Sequence, residues 1–293
     1  MADSGDQAAG LRRLFGREPS RVVTFAAGSV GVGKSLLVAN LAAALACLGK
    51  EVLVLDETAK NRVASYYGAR LSHDLQHVID RRKTLPEVLL TVAPGVRILA
   101  AARAMNRLGR LNQRQQQAFL ESVAGMHPAA DVILVNASLD HPLGFSPVGL
   151  AAHDTIIVIG PTSASITEAY ALIKKVSLGY ARKDFRILLN KVRGPDEAAA
   201  IHGNIAKVTQ SRALARLEYA GFVPLDEQLR QSTRLSQPVV RLFPEASAAR
   251  AYQTIAGDLL NWPLSGEDSG GLEQFVQQLL HLSQHIDPIA IYA

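Results

Sequence analysis

The chain has 293 residues, a formal net charge of +5 and a single cysteine, Cys47. This length accommodates one large α/β domain with short appendages, or two small domains. One cysteine excludes an internal disulfide framework and any metal site built from several cysteines. The modest excess of positive charge permits an anionic partner without identifying one.

The N-terminal residues contain no apolar signal core, and the longest nearly apolar run, residues 36–48, is too short to span a bilayer. Sparse cysteine also suits a reducing compartment. We therefore expect a cytoplasmic protein, with peripheral contact at the inner face of the cell membrane left open.

Short apolar runs alternate with helical stretches along most of the chain. The first run, residues 21–28, predicts a buried parallel strand, and residues 35–49 predict a buried helix closed by Gly49, with Cys47 in the core. Further strands are predicted at residues 50–56, 96–101, 131–136, 155–160, 185–190 and 219–224. The alternation predicts an α/β fold, a doubly wound, mainly parallel sheet with helices on both faces.

Two segments flank this pattern. Residues 1–20 form a polar N-terminal arm, residues 21–264 form the main domain, and residues 265–293 hold a linker and a C-terminal amphipathic helix. The apolar residues of that helix recur at helical spacing: Leu272, Phe275, Val276, Leu279, Leu280 and Ile286. Its polar face carries no lysine or arginine, so packing on its own domain or a partner and docking on a membrane both stay open.

Four arginines are spaced three and four residues apart, as on one helix face: Arg103, Arg107, Arg110 and Arg114. Gly109 and a predicted N-cap at Asn112 interrupt this series. We therefore interpret it as a solvated surface and expect no direct nucleic-acid binding.

Residues 28–35 read GSVGVGKS, which has the spacing of a phosphate-binding loop between a strand and a helix. Its backbone N–H groups would bind phosphate, Lys34 would contact the β- and γ-phosphates, and the Ser35 hydroxyl would bind Mg²⁺. The predicted nucleotide-binding residues of the loop are Gly28, Gly31, Gly33, Lys34, Ser35 and Leu36.

Residues 28–56 resemble the MinD/ParA class of P-loop ATPases. Residues 161–176, 188–209 and 219–240 resemble, more narrowly, the flagellar-number regulators called FlhG or FleN. The arm sequence DQAAGLRRL is similar to the N-terminal motif by which that family stimulates its partner, the SRP-type GTPase FlhF. The resemblance extends from Asp6 to about Trp262.

The resemblance implies ATP or ADP with Mg²⁺ as cofactors and assigns roles to further residues. Asn190 matches the family position that contacts the adenine edge, and Pro224 and Asp226 match the loop that closes over the base. Asp56 is the surviving first carboxylate. The catalytic candidates are Lys34 and Asp56, and the Mg²⁺-binding candidates are Ser35 and Asp56. The implied GTPase-contacting residues of the arm are Asp6, Gln7, Leu11, Arg12 and Leu14.

The sequence departs from the family pattern at four positions: Ser29 replaces a signature lysine, Val30 a glycine, Thr58 a water-orienting aspartate and Asn136 the Walker B aspartate. Loss of a cation that stabilises phosphoryl transfer typically lowers the rate by a factor of about 10³–10⁵. Loss of a residue that supports a metal ligand typically lowers metal affinity or activity by about 10–100-fold. We therefore expect nucleotide binding with very slow hydrolysis, in which Asn136 is a weak indirect metal partner. Alternatively, Glu57 or Asp140 takes over the missing water-orienting role.

The main hypothesis is a nucleotide-dependent regulator of flagellar number and placement that activates an FlhF-like GTPase. Flagellar switch or transcription-regulator components, an ATP-dependent homodimer and peripheral membrane contact are further implied partners. One alternative is an active MinD/ParA-type ATPase that positions septa or DNA. Another is a scaffold that binds no nucleotide.

Overall fold

The computed structural model describes residues 20–60, 62–108, 110–124, 127–138, 146–263 and 271–285. Eight strands occur within these residues: β1 (Arg21–Ala26), β2 (Val52–Asp56), β3 (Leu90–Ala93), β4 (Val96–Ala100), β5 (Val132–Asn136), β6 (Asp154–Ile159), β7 (Asp184–Val192) and β8 (Arg216–Pro224). They form one sheet in the order β3-β4-β2-β5-β1-β6-β7-β8. All neighbouring strands are parallel except β3 and β4, which are antiparallel.

The described residues also form thirteen helices: α1 (Lys34–Cys47), α2 (Arg62–Ser65), α3 (Gln76–Ile79), α4 (Leu85–Val88), α5 (Met105–Leu108), α6 (Gln113–Ala124), α7 (Pro147–Ala151), α8 (Ser163–Tyr180), α9 (Pro195–Ser211), α10 (Glu227–Arg234), α11 (Val239–Leu242), α12 (Ser247–Asn261) and α13 (Gly271–His285). The predicted doubly wound, mainly parallel α/β fold is confirmed.

Alternate residues of the central strands enter different layers of the core. On β1, Val23 and Phe25 pack in the layer that contains α1 and α12. Val22 packs in the layer that contains α13. The strands β1, β2, β4, β5 and β6 are buried along their whole length, which explains their continuous apolar sequences.

All seven predicted strands are present, with ends shifted by one to three residues. The eighth strand, β3, was missed. It has four residues, is only partly buried, and pairs at the sheet edge with β4, so its extended conformation depends on that partner more than on an apolar sequence pattern.

Two local predictions about α1 have different outcomes. The glycine terminator is confirmed, because Gly49 has a φ of +78°, a left-handed conformation that glycine adopts without strain. The prediction that Cys47 is a core residue was wrong, because its side chain is exposed at the last turn of the helix.

The arginine series does not form one helix face, as expected, because α5 and α6 are separate helices. Asn112 caps α6, with its Oδ1 accepting a hydrogen bond from the Gln115 N–H at 3.0 Å. The predicted N-cap is therefore confirmed.

The C-terminal helix α13 packs its apolar face on the domain. Phe275, Val276, Leu279 and Leu280 are each at most 4% exposed and belong to the same core cluster as residues of β1, β4, β5 and the helices α5, α6 and α7. The structure thus places the chain's own domain against this face, while Ile286 lies outside the described residues. None of the described helices is long and apolar enough to cross a membrane.

We predict that Leu279→Ala lowers the free energy of unfolding by about 2–5 kcal/mol, because it removes buried methyl groups and leaves a cavity between α13 and the domain. Gln278→Ala, on the exposed face of the same helix, is the control and should change stability by about 0.5 kcal/mol or less. Urea unfolding measures both. Equal effects of the two variants would contradict the packing described here.

Candidate nucleotide-binding site

The loop between β1 and α1 depends on glycine at three positions. Gly31 and Gly33 have φ values of +82° and +88°. At Gly28, a Cβ atom would lie 2.2 Å from the backbone carbonyl of Glu168 in α8, so no larger residue fits. The glycines that suggested a phosphate-binding loop therefore have a steric reason in this fold.

The N-terminus of α1 has no acceptor of its own. Its N-cap is Gly33, which provides no side-chain hydrogen bond, and the first turn contains no acidic residue. The first N–H groups of a helix lack intrahelical partners, and the helix dipole favours an anion near them. A phosphate group at the loop would supply the missing acceptors.

Lys34 lies beside the end of β5. Its side chain is buried, and Nζ donates hydrogen bonds to Oδ1 of Asn136 at 2.8 Å and to the carbonyl of Ala137. Desolvation lowers the pKa of Lys34 to about 8, although the nearby carboxylates of Asp56 and Glu57 act in the opposite direction. The predicted phosphate ligand is thus adjacent to the loop and has polar partners to exchange for phosphate oxygens.

The side chain of Asn136 joins three predicted site residues. Oδ1 accepts from Lys34, while Nδ2 donates to Oγ of Ser35 at 3.1 Å and to Oδ1 of Asp56 at 2.9 Å. An aspartate at this position has no proton to donate and would repel Asp56. The neutral amide therefore stabilises this arrangement of Lys34, Ser35 and Asp56, and it does so without adding negative charge.

Asp56 is fully buried and holds the segment that follows β2. Oδ1 accepts from the N–H and the hydroxyl of Thr58, at 3.0 and 2.7 Å, and Oδ2 accepts from the N–H of Val63 at 3.0 Å. Because Thr58 donates its hydroxyl proton to Asp56, this side chain closes the turn. The oxygens of Ser35 and Asp56, joined through Asn136, form a set that suits Mg²⁺.

A cavity of about 350 Å³ lies over the loop. It is lined by Ser29, Val30, Gly31, Val32, Gly33, Lys34, Ser35, Thr58, Ala59, Lys60, Arg62, Ala137 and Ser138. The lining residues come from three places, the loop itself, the segment after β2 and the end of β5. All three lie at the C-terminal edge of the parallel sheet, where ligands of open α/β folds bind.

This combination of sheet order, glycine loop and uncapped helix has counterparts among known proteins. A family model described as the CobQ/CobB/MinD/ParA nucleotide binding domain matches residues 23–239. The chain belongs to this family.

Two curated relatives and one solved structure refine the assignment to this family. Antiactivator FleN of Pseudomonas aeruginosa is 31% identical over 273 residues, which cover 92% of this chain and 97% of FleN. Flagellum site-determining protein YlxH of Helicobacter pylori is 23% identical, with 89% of this chain and 90% of YlxH covered. The septum site-determining protein MinD from Pyrococcus horikoshii, complexed with Mg-ADP, has a TM-score of 0.59 at 19% identity, over 82% of this chain and 96% of MinD. The predicted resemblance to MinD/ParA proteins and to FleN is confirmed.

Within this MinD/ParA-type site, Glu57 is buried and is not among the described residues that line the cavity. Oε1 accepts from the Ser146 hydroxyl at 2.6 Å and Oε2 from the Ser138 N–H at 3.0 Å. Desolvation raises the pKa of Glu57, against the effect of these hydrogen bonds and of Lys34. Both oxygens are engaged, which argues against Glu57 as a water-orienting carboxylate. Asp140, the other candidate, lies outside the described residues.

Asn190, the predicted adenine contact, supports the phosphate loop. Nδ2 donates to the carbonyl of Val32 at 2.7 Å, and Oδ1 accepts from the N–H of Lys191. Lys191 in turn donates from Nζ to the carbonyl of Gly31 at 2.6 Å. These bonds occupy carbonyl oxygens of the loop, whose presence near a phosphate would be unfavourable. Lys191 was missed, although a lysine directly after the strand-ending asparagine was the available signal.

The predicted base-closing residues lie beyond the lining of the cavity. Pro224 ends β8, and Asp226 joins the starts of two helices. Asp226 Oδ1 accepts from the N–H of Leu229 in α10, and Oδ2 accepts from the hydroxyl of Ser247 at 2.6 Å and the N–H of Ala248 at 2.9 Å in α12. Contact of Asn190, Pro224 and Asp226 with a base stays a prediction.

The arm lies outside the described residues. This applies to every residue predicted to contact the GTPase: Asp6, Gln7, Leu11, Arg12 and Leu14.

We predict that Asp226→Ala lowers the free energy of unfolding at pH 7 by about 1–3 kcal/mol, because both helix starts lose their acceptor. Desolvation raises the pKa of Asp226, but the hydrogen bonds from Ser247, Ala248 and Leu229 outweigh it and the net pKa is below the ordinary 3.8. The carboxylate therefore stabilises the fold above about pH 4, and this contribution disappears as the pH falls through the lowered pKa.

The difference in unfolding free energy between wild type and Asp226→Ala should consequently shrink between pH 5 and pH 2.5. Gln228→Ala, an exposed substitution in the same helix, is the control at each pH. A difference that stays constant over this range would contradict the assigned role.

Proposed function

We propose that this chain is a nucleotide-binding regulator of flagellar number and placement, in which ATP or ADP with Mg²⁺ binds the loop and is hydrolysed very slowly. The observation that carries the nucleotide part is the uncapped N-terminus of α1 beside Lys34. In this proposal, residues 1–20 are the activator arm, residues 21–264 the nucleotide-binding domain and residues 265–293 the linker and tail helix.

Different residues at the loop contact the phosphates and the metal ion. The N–H groups from Gly31 to Leu36 donate hydrogen bonds to phosphate oxygens, and Lys34 transfers its hydrogen bonds from Asn136 and Ala137 to phosphate. The hydroxyl of Ser35 and the carboxylate of Asp56, both of which accept a hydrogen bond from Asn136, would hold the metal ion. Bound Mg²⁺ would offset the charge of neighbouring phosphate oxygens.

Slow hydrolysis follows from the chemistry of the cavity wall. The described lining residues include no carboxylate that could orient an attacking water. Thr58, at the position where the family has that carboxylate, donates its hydroxyl to Asp56 instead. Asn136 keeps the site connected but supplies no charge. These features favour a binding protein whose state depends on which nucleotide is present.

The regulatory part of the proposal is supported by similarity to FleN and to the flagellum site-determining protein YlxH. The arm motif DQAAGLRRL suggests an SRP-type GTPase of the FlhF kind as partner. The arm joins the domain at Arg21, the start of β1, whereas the phosphate loop follows the end of the same strand. Six residues of strand, about 20 Å, separate the attachment point of the arm from the loop.

Other partners in the proposal contact the face around the cavity. Val30 is 85% exposed at the tip of the loop and Leu225 is 62% exposed. Exposed apolar side chains beside a ligand site suit a protein interface, either an ATP-dependent homodimer or flagellar switch or transcription-regulator components. Membrane contact by α13 would require release of its apolar face from the domain.

We predict that the purified protein binds Mg·ATP and Mg·ADP and that Lys34→Ala abolishes measurable binding, because Lys34 is the cation of the loop. Phosphate release should be at least about 10²-fold slower than that of a MinD/ParA relative with the complete catalytic set, assayed side by side. A fluorescent-nucleotide titration and a phosphate-release assay measure the two quantities. A rate matching the relative would overturn slow hydrolysis, and failure to bind either nucleotide would overturn the nucleotide-binding proposal.

We also predict that removing residues 1–20 abolishes stimulation of an FlhF-like GTPase while leaving nucleotide affinity unchanged, because the removed segment precedes β1 whereas the loop follows the end of that strand. GTP turnover by the partner is measured with full-length protein, the truncated protein and a Gln7→Ala variant. Undiminished stimulation by the truncated protein would show that the arm is not the activator.

A further inference from the structure

The cavity over the loop is lined by more cationic side chains than the loop itself contributes. Its lining includes Lys34, Lys60 and Arg62, whereas the described lining residues include no aspartate or glutamate. Only Lys34 belongs to the loop. Lys60 and Arg62 come from the segment after β2, so this segment contributes two of the three cationic side chains around the cavity.

The segment that carries these two cations is held in place by hydrogen bonds to the buried carboxylate of Asp56. Asp56 accepts from Thr58 at the start of the segment and from Val63 just beyond Arg62. The N–H of Arg62 also donates to Oγ1 of Thr58 at 3.4 Å. Because Asp56 binds residues before and after them, Lys60, in the turn after β2, and Arg62, the first residue of α2, are held beside the cavity.

Neither side chain has a carboxylate partner among the ion pairs formed by the described residues. Both residues are exposed. Several other arginines do pair, for example Arg186 with Asp154 and Arg216 with Asp184. Two cations that have no carboxylate partner among the described residues, at the edge of a cavity of about 350 Å³, remain available to an anionic ligand.

We propose that Lys60 and Arg62 bind the terminal phosphate of a nucleoside triphosphate and thereby make the site prefer a triphosphate over a diphosphate. The inference rests on the proposed nucleotide binding and adds a specificity to it. The N-terminus of α1 and Lys34 hold the phosphates nearest the loop, and the turn after β2 forms another part of the cavity wall. A third phosphate extends from the loop toward this part of the wall.

The two side chains have complementary chemistry for this purpose. The planar guanidinium of Arg62 can donate two parallel hydrogen bonds to one phosphate, and the ammonium of Lys60 adds a compact charge. A triphosphate carries more negative charge at this end than a diphosphate does. Binding of the longer nucleotide therefore gains interactions that the shorter one does not make.

The test compares Mg·AMPPNP, a triphosphate analogue that is not hydrolysed, with Mg·ADP by isothermal titration calorimetry. The Lys60→Ala/Arg62→Ala variant should bind Mg·AMPPNP about tenfold more weakly than wild type does, because two partly exposed charge contacts are lost. Its affinity for Mg·ADP should stay within about twofold. Lys174→Ala/Lys207→Ala, which removes two exposed charges from α8 and α9, is the matched control and should leave both affinities unchanged.

Equal weakening of both nucleotides, or no change in either, would overturn the proposal while leaving nucleotide binding itself established. Failure of the wild-type protein to bind either ligand would instead overturn both the triphosphate preference and the proposed nucleotide binding. Thermal unfolding without nucleotide checks that the variant folds. A second variant, Lys60→Gln/Arg62→Gln, removes both charges but keeps polar, flexible side chains. It should show the same selective loss, and an affinity for Mg·AMPPNP equal to wild type would also count against the proposal.

Discussion

The uncapped first turn of α1 is the constraint around which the rest of the site is organised. A helix of fourteen residues starts at Lys34 directly after a glycine, with neither a side-chain cap nor an acidic residue to satisfy its first N–H groups. β1 delivers the chain to this point, and Gly28 allows α8 to pack close behind it. Asn190 and Lys191 donate hydrogen bonds to backbone carbonyl oxygens of the loop. Each contact leaves the N–H groups facing a cavity, which is an arrangement suited to phosphate.

The second organising element is the amide of Asn136. It can donate and accept at once, so it connects Lys34, Ser35 and Asp56 without the repulsion that a second buried carboxylate would cause. The same neutrality removes charge that helps hold a metal ion. The side chain of Asn136 therefore orders the site through its hydrogen bonds but contributes no negative charge to it.

Much of the fold could be predicted from the sequence, because strands buried on both faces must be continuous apolar runs and the helix-forming stretches between them force parallel crossovers. The edge strand β3 could not be predicted from the sequence, because it is short and half-exposed and its conformation depends on pairing with β4. The exposure of Cys47 could not be predicted for a similar reason. An apolar helix predicts burial on average, but which residue of its last turn reaches solvent depends on where the helix ends.

The sequence by itself determined the phosphate loop, because the spacing of Gly28, Gly33, Lys34 and Ser35 is a local pattern. It also determined the departures from the family pattern at Ser29, Thr58 and Asn136, because each can be identified by its position. Only the tertiary structure decided what the remaining polar groups do. Asp226 binds two helix starts that are distant in sequence, Glu57 is engaged by Ser146, and Lys60 and Arg62 join the cavity wall. These roles depend on which segments meet at the edge of the sheet, and residue spacing carries no information about contacts between segments so far apart in the chain.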